Sequence, residues 1–160
     1  MSHQVHIYTD GAAKGNPGPG GYGVVMEWVG KPYKKEFYEG FRHTTNNRME
    51  LLAVIVGLEK LKNPNTKVLV VSDSKYVVNS INKGWLINWE KQKFQNRLNA
   101  DLWQEYLNVS KDLKIKVIWV KGHADNEFNN RCDVLATKES SSDNKDLWLV
   151  DNLYEKTNKK

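Results

Sequence analysis

The sequence predicts an α/β domain built on one five-stranded mixed sheet with helices on both faces. Three extended segments follow one another at the start of the chain, and helical and extended patterns alternate after them. A chain of 160 residues can bury one substantial core but is short for two domains. These observations favour an antiparallel meander followed by parallel strands with right-handed crossovers.

The first predicted strand covers residues 5–9, where β-branched and aromatic side chains alternate in the order VHIYT. It ends in Asp10-Gly11, so a carboxylate stands at the carboxyl end of the strand. The glycines and prolines in residues 15–21 exclude a helix and predict a turn.

The glycines from Gly18 to Gly23 fit the dinucleotide-binding pattern G-x-G-x-x-G. That pattern binds a pyrophosphate only when its glycines open a helix. The residues that follow have the alternation of a strand instead, so we interpret the glycines as part of a hairpin and predict no dinucleotide cofactor.

The next elements follow from changes in hydrophobic periodicity. Residues 22–28 and 33–41 complete the meander, and apolar residues at helical spacing predict a helix over residues 46–62. Asn46 is its predicted N-cap. The apolar run 68–71 predicts a strand buried on both faces, and it ends next to Asp73.

The second half of the chain predicts three helices and one more strand. Ser74 is a suitable N-cap for a short helix over 75–83, and helices are also predicted over 101–113 and 129–137. Residues 115–120 form the fifth strand. The folded domain is therefore predicted to cover residues 1–137.

The remaining residues, 138–160, are rich in Ser, Asp, Asn and Lys. This composition predicts a C-terminal tail that is largely mobile.

Composition and charge narrow the class of protein. The net charge of +5 and the pI near 9.2 are compatible with a polyanionic partner, although charge alone is unspecific. Cys132 is the single cysteine, which excludes an internal disulfide and a zinc site built from several cysteines. With no apolar run long enough to span a membrane and no signal-peptide pattern, we expect a cytoplasmic protein.

Four acidic residues are the candidates for catalysis or metal binding. Asp10 and Asp73 end predicted strands, Glu50 lies in the first turn of a helix, and Asp133 lies on the last helix. Each alone is commonly a cap or a partner of a helix dipole. The predicted topology can bring them to one edge of the sheet, where two carboxylates about 4 Å apart repel by roughly 4 kcal/mol at an effective dielectric of 20. Such a cluster requires protons or cations, and an all-oxygen ligand set favours magnesium or manganese over zinc.

Five motifs in order along the chain, from about residue 5 to 137, resemble the signatures of bacterial type 1 ribonuclease H (RNase HI). They are TDG at 9–11, GNPGPGGYG at 15–23, TTNNRMEL at 44–51, DSKYV at 73–77, and VKGHA at 120–124 with RCD at 131–133. The resemblance implies an RNase H-like fold. It also implies an endonuclease that cuts the RNA strand of an RNA–DNA hybrid with two Mg²⁺ ions, with Mn²⁺ able to substitute, and leaves 5′-phosphate and 3′-hydroxyl ends.

The resemblance also implies roles for individual residues. Asp10 is expected to bridge both metal ions, with Glu50, Asp73 and Asp133 completing their coordination. His123 is expected to assist proton transfer or product departure. Without the Gly-His-Ala context, His123 would be interpreted as a solvated loop histidine.

Substrate contacts are implied on the same basis. Asn16, Asn46 and Lys75 are expected at the minor groove, where the 2′-hydroxyl distinguishes RNA from DNA. The residues expected to hold the DNA strand are Thr45, Asn47 and Trp85. Capping and turn formation are the alternative roles for the Thr and Asn residues, and both roles can coexist.

The segment after Trp85 departs from the family pattern. Many bacterial relatives have a longer, lysine-rich protruding segment here, whereas this chain has Lys91, Lys93 and Arg97 with Glu90 among them. We expect the three basic residues to contact phosphates and the shorter segment to bind the hybrid less strongly.

One alternative keeps the fold but not the chemistry: a non-catalytic module that binds RNA–DNA hybrids. The presence of all four acids and His123 favours the enzyme. A DNA nuclease or recombinase of the same fold is disfavoured by the Asn-Asn-Arg-Met-Glu match. The expected partner is a hybrid, and the expected oligomeric state is a monomer.

Overall fold

Five strands form a single mixed sheet in a computed structural model that describes residues 3–32, 34–121, 127–140, 149, 151, 154 and 155. The strands are β1 (Val5–Ala13), β2 (Gly18–Trp28), β3 (Lys34–Thr44), β4 (Lys67–Ser72) and β5 (Lys114–Trp119). The helices are α1 (Asn46–Glu59), α2 (Lys75–Asn82), α3 (Trp85–Lys91), α4 (Ala100–Ser110) and α5 (Glu127–Ser140).

The sheet has the strand order β3-β2-β1-β4-β5. The first three strands pair antiparallel, whereas β4 pairs in parallel with both β1 and β5. This arrangement confirms the predicted fold class. The carboxyl ends of β1, β4 and β5 therefore lie at one edge of the sheet.

The first hairpin is longer than predicted. Strand β1 continues beyond Asp10 to Ala13, and β2 begins at Gly18, with Ala12 opposite Gly21 and Ala13 opposite Gly20. The prediction that residues 15–21 form a turn is wrong for 18–21, because glycines opposite a strand can adopt extended backbone as readily as a turn. The strand that follows the G-x-G-x-x-G pattern is confirmed.

Helices cover both faces of the sheet. On one face α1 packs on β1 and β2, and Gly57 lies so close to Ile7 that a Cβ there would be 2.7 Å from the Ile7 side chain. On the other face α5 packs on the same strands, around buried Val25, Cys132 and Leu135. The two helices thereby fix the residues that flank the carboxyl end of β1.

The N-terminus of α1 is capped by Thr45, whose hydroxyl accepts a hydrogen bond from Arg48 N at 3.2 Å. The predicted cap, Asn46, is the first residue of the helix, so that prediction was wrong by one position. Both residue types are good caps, and sequence alone does not separate adjacent candidates. The predicted cap of α2 is confirmed, because the Ser74 hydroxyl accepts from Val77 N.

Arg48 joins α1 to the end of the chain. Its guanidinium is 4% exposed and donates two hydrogen bonds to Asp101 on α4 and two to Asp151, at 2.7 to 2.9 Å. Thr44 donates a further hydrogen bond to Asp151 at 2.7 Å. A buried arginine is thus neutralised from two sides, once by α4 and once by the C-terminal segment.

The described tail residues also contact β3. Leu149 N donates to Gly40 O at 2.7 Å, and Arg42 N donates to Leu149 O at 3.0 Å. Helix α5 runs to Ser140, three residues beyond the predicted domain boundary at 137. The prediction of a mobile tail concerns residues that mostly lie outside the described ones, and it stays a prediction.

Among the described residues, no helix has the length and apolar character needed to cross a membrane.

Candidate active site

Three acids meet at the carboxyl end of the parallel strands. Oxygen atoms of Asp10, Glu50 and Asp73 all lie within 4.8 Å of one another. Asp133, on α5, lines the same cleft, which has a volume of about 460 Å³. The structure therefore brings together the four acids that the sequence singled out.

Gly11 allows α1 to approach β1 closely enough to place Glu50 beside Asp10. A Cβ on Gly11 would clash with the backbone between Met49 and Glu50. The Gly11 N–H donates to Glu50 Oε1 at 2.8 Å and lies 2.9 Å from Asp10 Oδ1. One backbone amide thus holds both carboxylates, and only a residue without a side chain fits at that position.

The position of Asp133 is set by the packing of α5 on the sheet. Asn129 donates to the backbone oxygens of Thr9 and Val71, near the end of the parallel pairing between β1 and β4. Cys132 lies against Tyr8 O at 3.1 Å, and a Cβ on Gly23 would be 2.5 Å from Cys132 O. Because α5 lies directly on the strand backbones, Asp133 faces Asp10 on β1. Burial raises the pKa of the Cys132 thiol, so this cysteine is an uncharged packing residue.

Asp73 lies in the turn between β4 and α2. Ser74 N donates to the hydroxyl of buried Ser72 at 3.0 Å, and the Trp119 indole N–H donates to the Asp73 carbonyl oxygen at 3.0 Å. Two side chains of adjacent strands therefore fix the backbone that carries the third carboxylate.

The clustered carboxylates are poorly solvated and repel one another. Asp10 is 5% exposed and Glu50 is 7% exposed. Burial is the largest cause of a raised pKa at Asp10, followed by the interaction with Glu50, and burial likewise raises the pKa of Glu50. Without cations, the pair therefore holds a proton at pH values where isolated carboxylic acids have lost theirs.

The residues fit a divalent metal ion. Glu50 Oε2 is buried and receives no hydrogen bond from any residue in the described part of the chain. A buried carboxylate oxygen without a donor is costly unless a cation binds it. The surrounding ligands are carboxylate oxygens, which suit hard divalent cations.

The predicted substrate residues surround two neighbouring cavities. Asn46, Asn47 and Lys75 line the cleft that holds the acids. A second cavity of about 700 Å³ is lined by residues that include Asn16, Thr45, Asn47 and Arg97. The structure thus brings together most of the predicted substrate residues on the side of the molecule that carries the acids.

Two of these residues already have structural partners. Asn46 Oδ1 accepts from Ala13 N, and Asn16 Oδ1 accepts from Asn46 N at 2.9 Å. Both side chains hold the β1–β2 hairpin against the start of α1. These contacts are structural, as in the alternative roles considered for these residues, but the cap of α1 is Thr45 and not Asn46.

The predicted basic segment consists of α3 and the loop after it. Trp85 begins α3 and is exposed, and Lys91 and Lys93 are exposed as well. The Arg97 guanidinium lies 4.7 Å from the centre of the Trp89 ring. Lys91, Lys93 and Arg97 thus offer three cations to solvent, and Arg97 lies beside an aromatic ring. His123 lies outside the described residues.

Sequence reasoning missed several residues of this region. Arg48 and Asp151 were not singled out because their interaction spans 103 residues of sequence and no local pattern marks it. Trp119 was seen only as part of a strand, although an aromatic residue at the end of a parallel strand is a detectable signal. Gly11 was interpreted as a strand end, not as the contact point of a helix.

A sheet of this order is the α/β architecture of ribonuclease H-type domains. The clustered carboxylates where β1 and β4 pair could hold a divalent metal ion. A family model for RNase H matches residues 2–141 of the chain. The chain belongs to the ribonuclease H family.

Curated bacterial relatives agree with this assignment. A ribonuclease H of Desulforamulus reducens is 50% identical over 146 residues, which cover 88% of this chain and 90% of the relative. A ribonuclease H of Thermoanaerobacter sp. (strain X514) is 51% identical over 140 residues, which cover 84% and 88%. The chain is therefore a bacterial ribonuclease H by family.

Solved structures are similar as well. LC9-RNase H1 has a TM-score of 0.78 at 27% identity, over all of this chain and 83% of that one. LC11-RNase H1 in complex with an RNA/DNA hybrid has a TM-score of 0.57 at 30% identity, over 84% and 94% of the two chains. The resemblance stated from the motifs is thereby confirmed.

Proposed function

We propose that this protein is a magnesium-dependent endonuclease that hydrolyses the RNA strand of RNA–DNA hybrids and leaves 5′-phosphate and 3′-hydroxyl ends. The observation that carries the proposal is the cluster of Asp10, Glu50 and Asp73 oxygens within 4.8 Å, in a chain that belongs to the ribonuclease H family. The solved complex of LC11-RNase H1 with a hybrid supports the choice of substrate.

Each acid has a distinct place in the proposal. Asp10 would serve both Mg²⁺ ions, and Glu50, Asp73 and Asp133 would complete the set of carboxylates that holds them. When bound, two such ions activate water on one side of a phosphodiester and stabilise the departing oxygen on the other. The Gly11 N–H keeps Glu50 Oε1 beside Asp10, so the carboxylates are positioned before any cation arrives.

Cation binding and proton release are linked at this site. Burial and mutual repulsion raise the pKa values of Asp10 and Glu50, and ionised carboxylates are the form that ligates metal. The proton held by the pair must therefore leave when cations bind. We infer that metal affinity increases with pH for this reason.

The substrate side of the proposal keeps the predicted residues. Asn16, Asn46 and Lys75 contact the minor groove, and Thr45, Asn47 and Trp85 contact the DNA strand. The exposed Lys91, Lys93 and Arg97 contact phosphates. His123 assists proton transfer or product departure. We infer a monomer, because one chain supplies all four acids, and a cytoplasmic location, because hybrids are intracellular nucleic acids.

The test is a cleavage assay on labelled RNA–DNA hybrid, duplex RNA and duplex DNA, each with and without Mg²⁺. We expect cleavage of the RNA strand of the hybrid alone, only with the cation. Asp10→Asn is the matched control, because it removes one metal ligand without changing the size of the side chain. Binding of the hybrid without cleavage by the unmodified protein would favour the non-catalytic module instead.

A further inference from the structure

The turn that carries Asp73 is held from β5 as well as from β4. Ser72 and Trp119 are direct neighbours in the parallel pairing of these strands. Ser72 binds the amide of Ser74, whereas the Trp119 indole N–H binds the carbonyl of Asp73 itself. The backbone on both sides of the Asp73 side chain is therefore restrained.

The same indole also contacts Lys75. The Lys75 Nζ atom lies 4.9 Å from the centre of the Trp119 ring, a distance at which a cation is attracted to an aromatic face. Lys75 lines the cleft that contains Asp10, Glu50 and Asp73. Trp119, on the outer strand β5, thus contacts the backbone of Asp73 through its N–H group and the ammonium group of Lys75 through its ring.

Packing into the core does not explain Trp119. Its side chain is 43% exposed, whereas Val117, two residues earlier on the same face of β5, is 4% exposed. Tryptophan in a core is normally well buried, since its large apolar surface is what stabilises the fold. The polar and cationic contacts of Trp119 are therefore its distinguishing features.

We propose that Trp119 is a positioning residue with two separable roles. Its indole N–H group orients Asp73 for metal binding, and its ring face holds the Lys75 ammonium group in place for the hybrid. This inference rests on the proposed function, since it assigns Asp73 to the metal and Lys75 to the nucleic acid. Removing a group that orients a metal ligand typically lowers metal affinity about 10- to 100-fold.

Two substitutions separate the roles. Trp119→Phe keeps a ring face for Lys75 but removes the N–H group. Trp119→Leu removes both. Trp28→Phe is the matched control, because Trp28 pairs with Val5 at the far end of the sheet from the acids.

Metal affinity is measured by calorimetric titration of Mg²⁺, and of Mn²⁺ where heats are small, into the hybrid-free protein. Hybrid affinity is measured separately with a chelator present, so that cleavage does not intervene. We expect Trp119→Phe to weaken metal binding about tenfold, the lower end of the range for such groups, with hybrid affinity unchanged. We expect Trp119→Leu to weaken metal binding equally and also to weaken hybrid binding about two- to fivefold, the range of an exposed cation–π contact.

A double-mutant cycle tests the contact with Lys75. Lys75→Ala should weaken hybrid binding of the unmodified protein more than it weakens that of Trp119→Leu, because the ring that positions the ammonium group is already gone. Equal effects of Lys75→Ala in both proteins would overturn the second role. Metal affinity in Trp119→Phe equal to that of Trp28→Phe would overturn the first.

The two proposals fail in different ways. If the unmodified protein neither binds the cation nor cleaves the hybrid, the proposed function is wrong. If it does both and Trp119→Phe is indistinguishable from it, only the role of Trp119 is wrong. A merely structural role would lower the melting temperature of the variants while leaving metal affinity unchanged at temperatures well below melting.

Discussion

Replacing Asp151 by alanine tests whether the C-terminal segment is part of the folded domain. Asp151 accepts two hydrogen bonds from Arg48 and one from Thr44, and its side chain is 10% exposed. The substitution leaves one side of a buried guanidinium without its counter-charge. It also leaves the Thr44 hydroxyl without its acceptor.

The expected loss follows from the burial of the pair. Removing one partner of a buried ion pair costs about 3–5 kcal/mol. Asp101 still accepts two hydrogen bonds from Arg48 in the variant, so the lower end of that range, about 3 kcal/mol, applies. For a chain of this size such a loss lowers the melting temperature by roughly 6–12 °C.

The measurement is urea unfolding followed by circular dichroism at pH 7, with metal-free protein so that cation binding does not contribute. The matched control is Glu155→Ala, which removes the exposed ion pair with Arg42, whose side chain is 58% exposed. Surface pairs of this kind contribute about 0–1 kcal/mol. If Asp151→Ala lost no more stability than Glu155→Ala, the segment would not be neutralising Arg48, and the tail would behave as the mobile region that its composition predicts.

Three further predictions concern the site. Asp10→Asn should abolish cleavage, because it removes a metal ligand. The folded-state pKa of Asp10 lies above its unfolded value near 4, so the metal-free unmodified protein loses stability as pH rises. Asp10→Asn should therefore gain stability relative to it between pH 5 and 8, and urea midpoints that differ by a constant amount would contradict this. His123→Ala should slow turnover by roughly one to three decades in single-turnover assays, and an unchanged rate would return His123 to a solvated loop residue. Replacing Lys91, Lys93 and Arg97 together by alanine should raise KM for the hybrid. It should also reduce the slope of log hybrid affinity against log salt concentration by up to about three units. Its kcat should stay nearly constant because only uniform binding is lost, and a lower kcat with an unchanged slope would contradict the phosphate contacts.

The acids were predictable because their positions follow from strand direction. Asp10 and Asp73 each follow the last residue of the parallel pairing between β1 and β4, and the carboxyl ends of adjacent parallel strands must meet at one edge of a sheet. Glu50 follows because it lies one turn into the helix that packs on the first strand. Topology and local pattern agree at these positions, so the sequence alone was enough to predict the acidic cluster.

Other features depend on contacts that no local pattern reports. The tail composition is polar, yet Asp151 is held by a buried arginine on a helix far away in sequence. Gly11 reads as the end of a strand, yet its missing side chain is what admits α1. Thr45 and Asn46 are both suitable caps, and the choice between them depends on Asn46 being engaged by the first hairpin. Tertiary contacts decided each of these cases.

The contact between Leu149 and β3 has a consequence for self-association. β3 and β5 are the two outer strands of the sheet, and an outer strand exposes backbone groups that can pair with another chain. On β5 the exposed Lys114 and Lys116 oppose such pairing by charge. On β3 the chain's own C-terminal segment occupies the backbone groups of Gly40 and Arg42. Proteolytic removal of that segment would therefore expose the outer edge of β3 to pairing with another chain. A clipped chain would lose solubility through this intermolecular strand pairing.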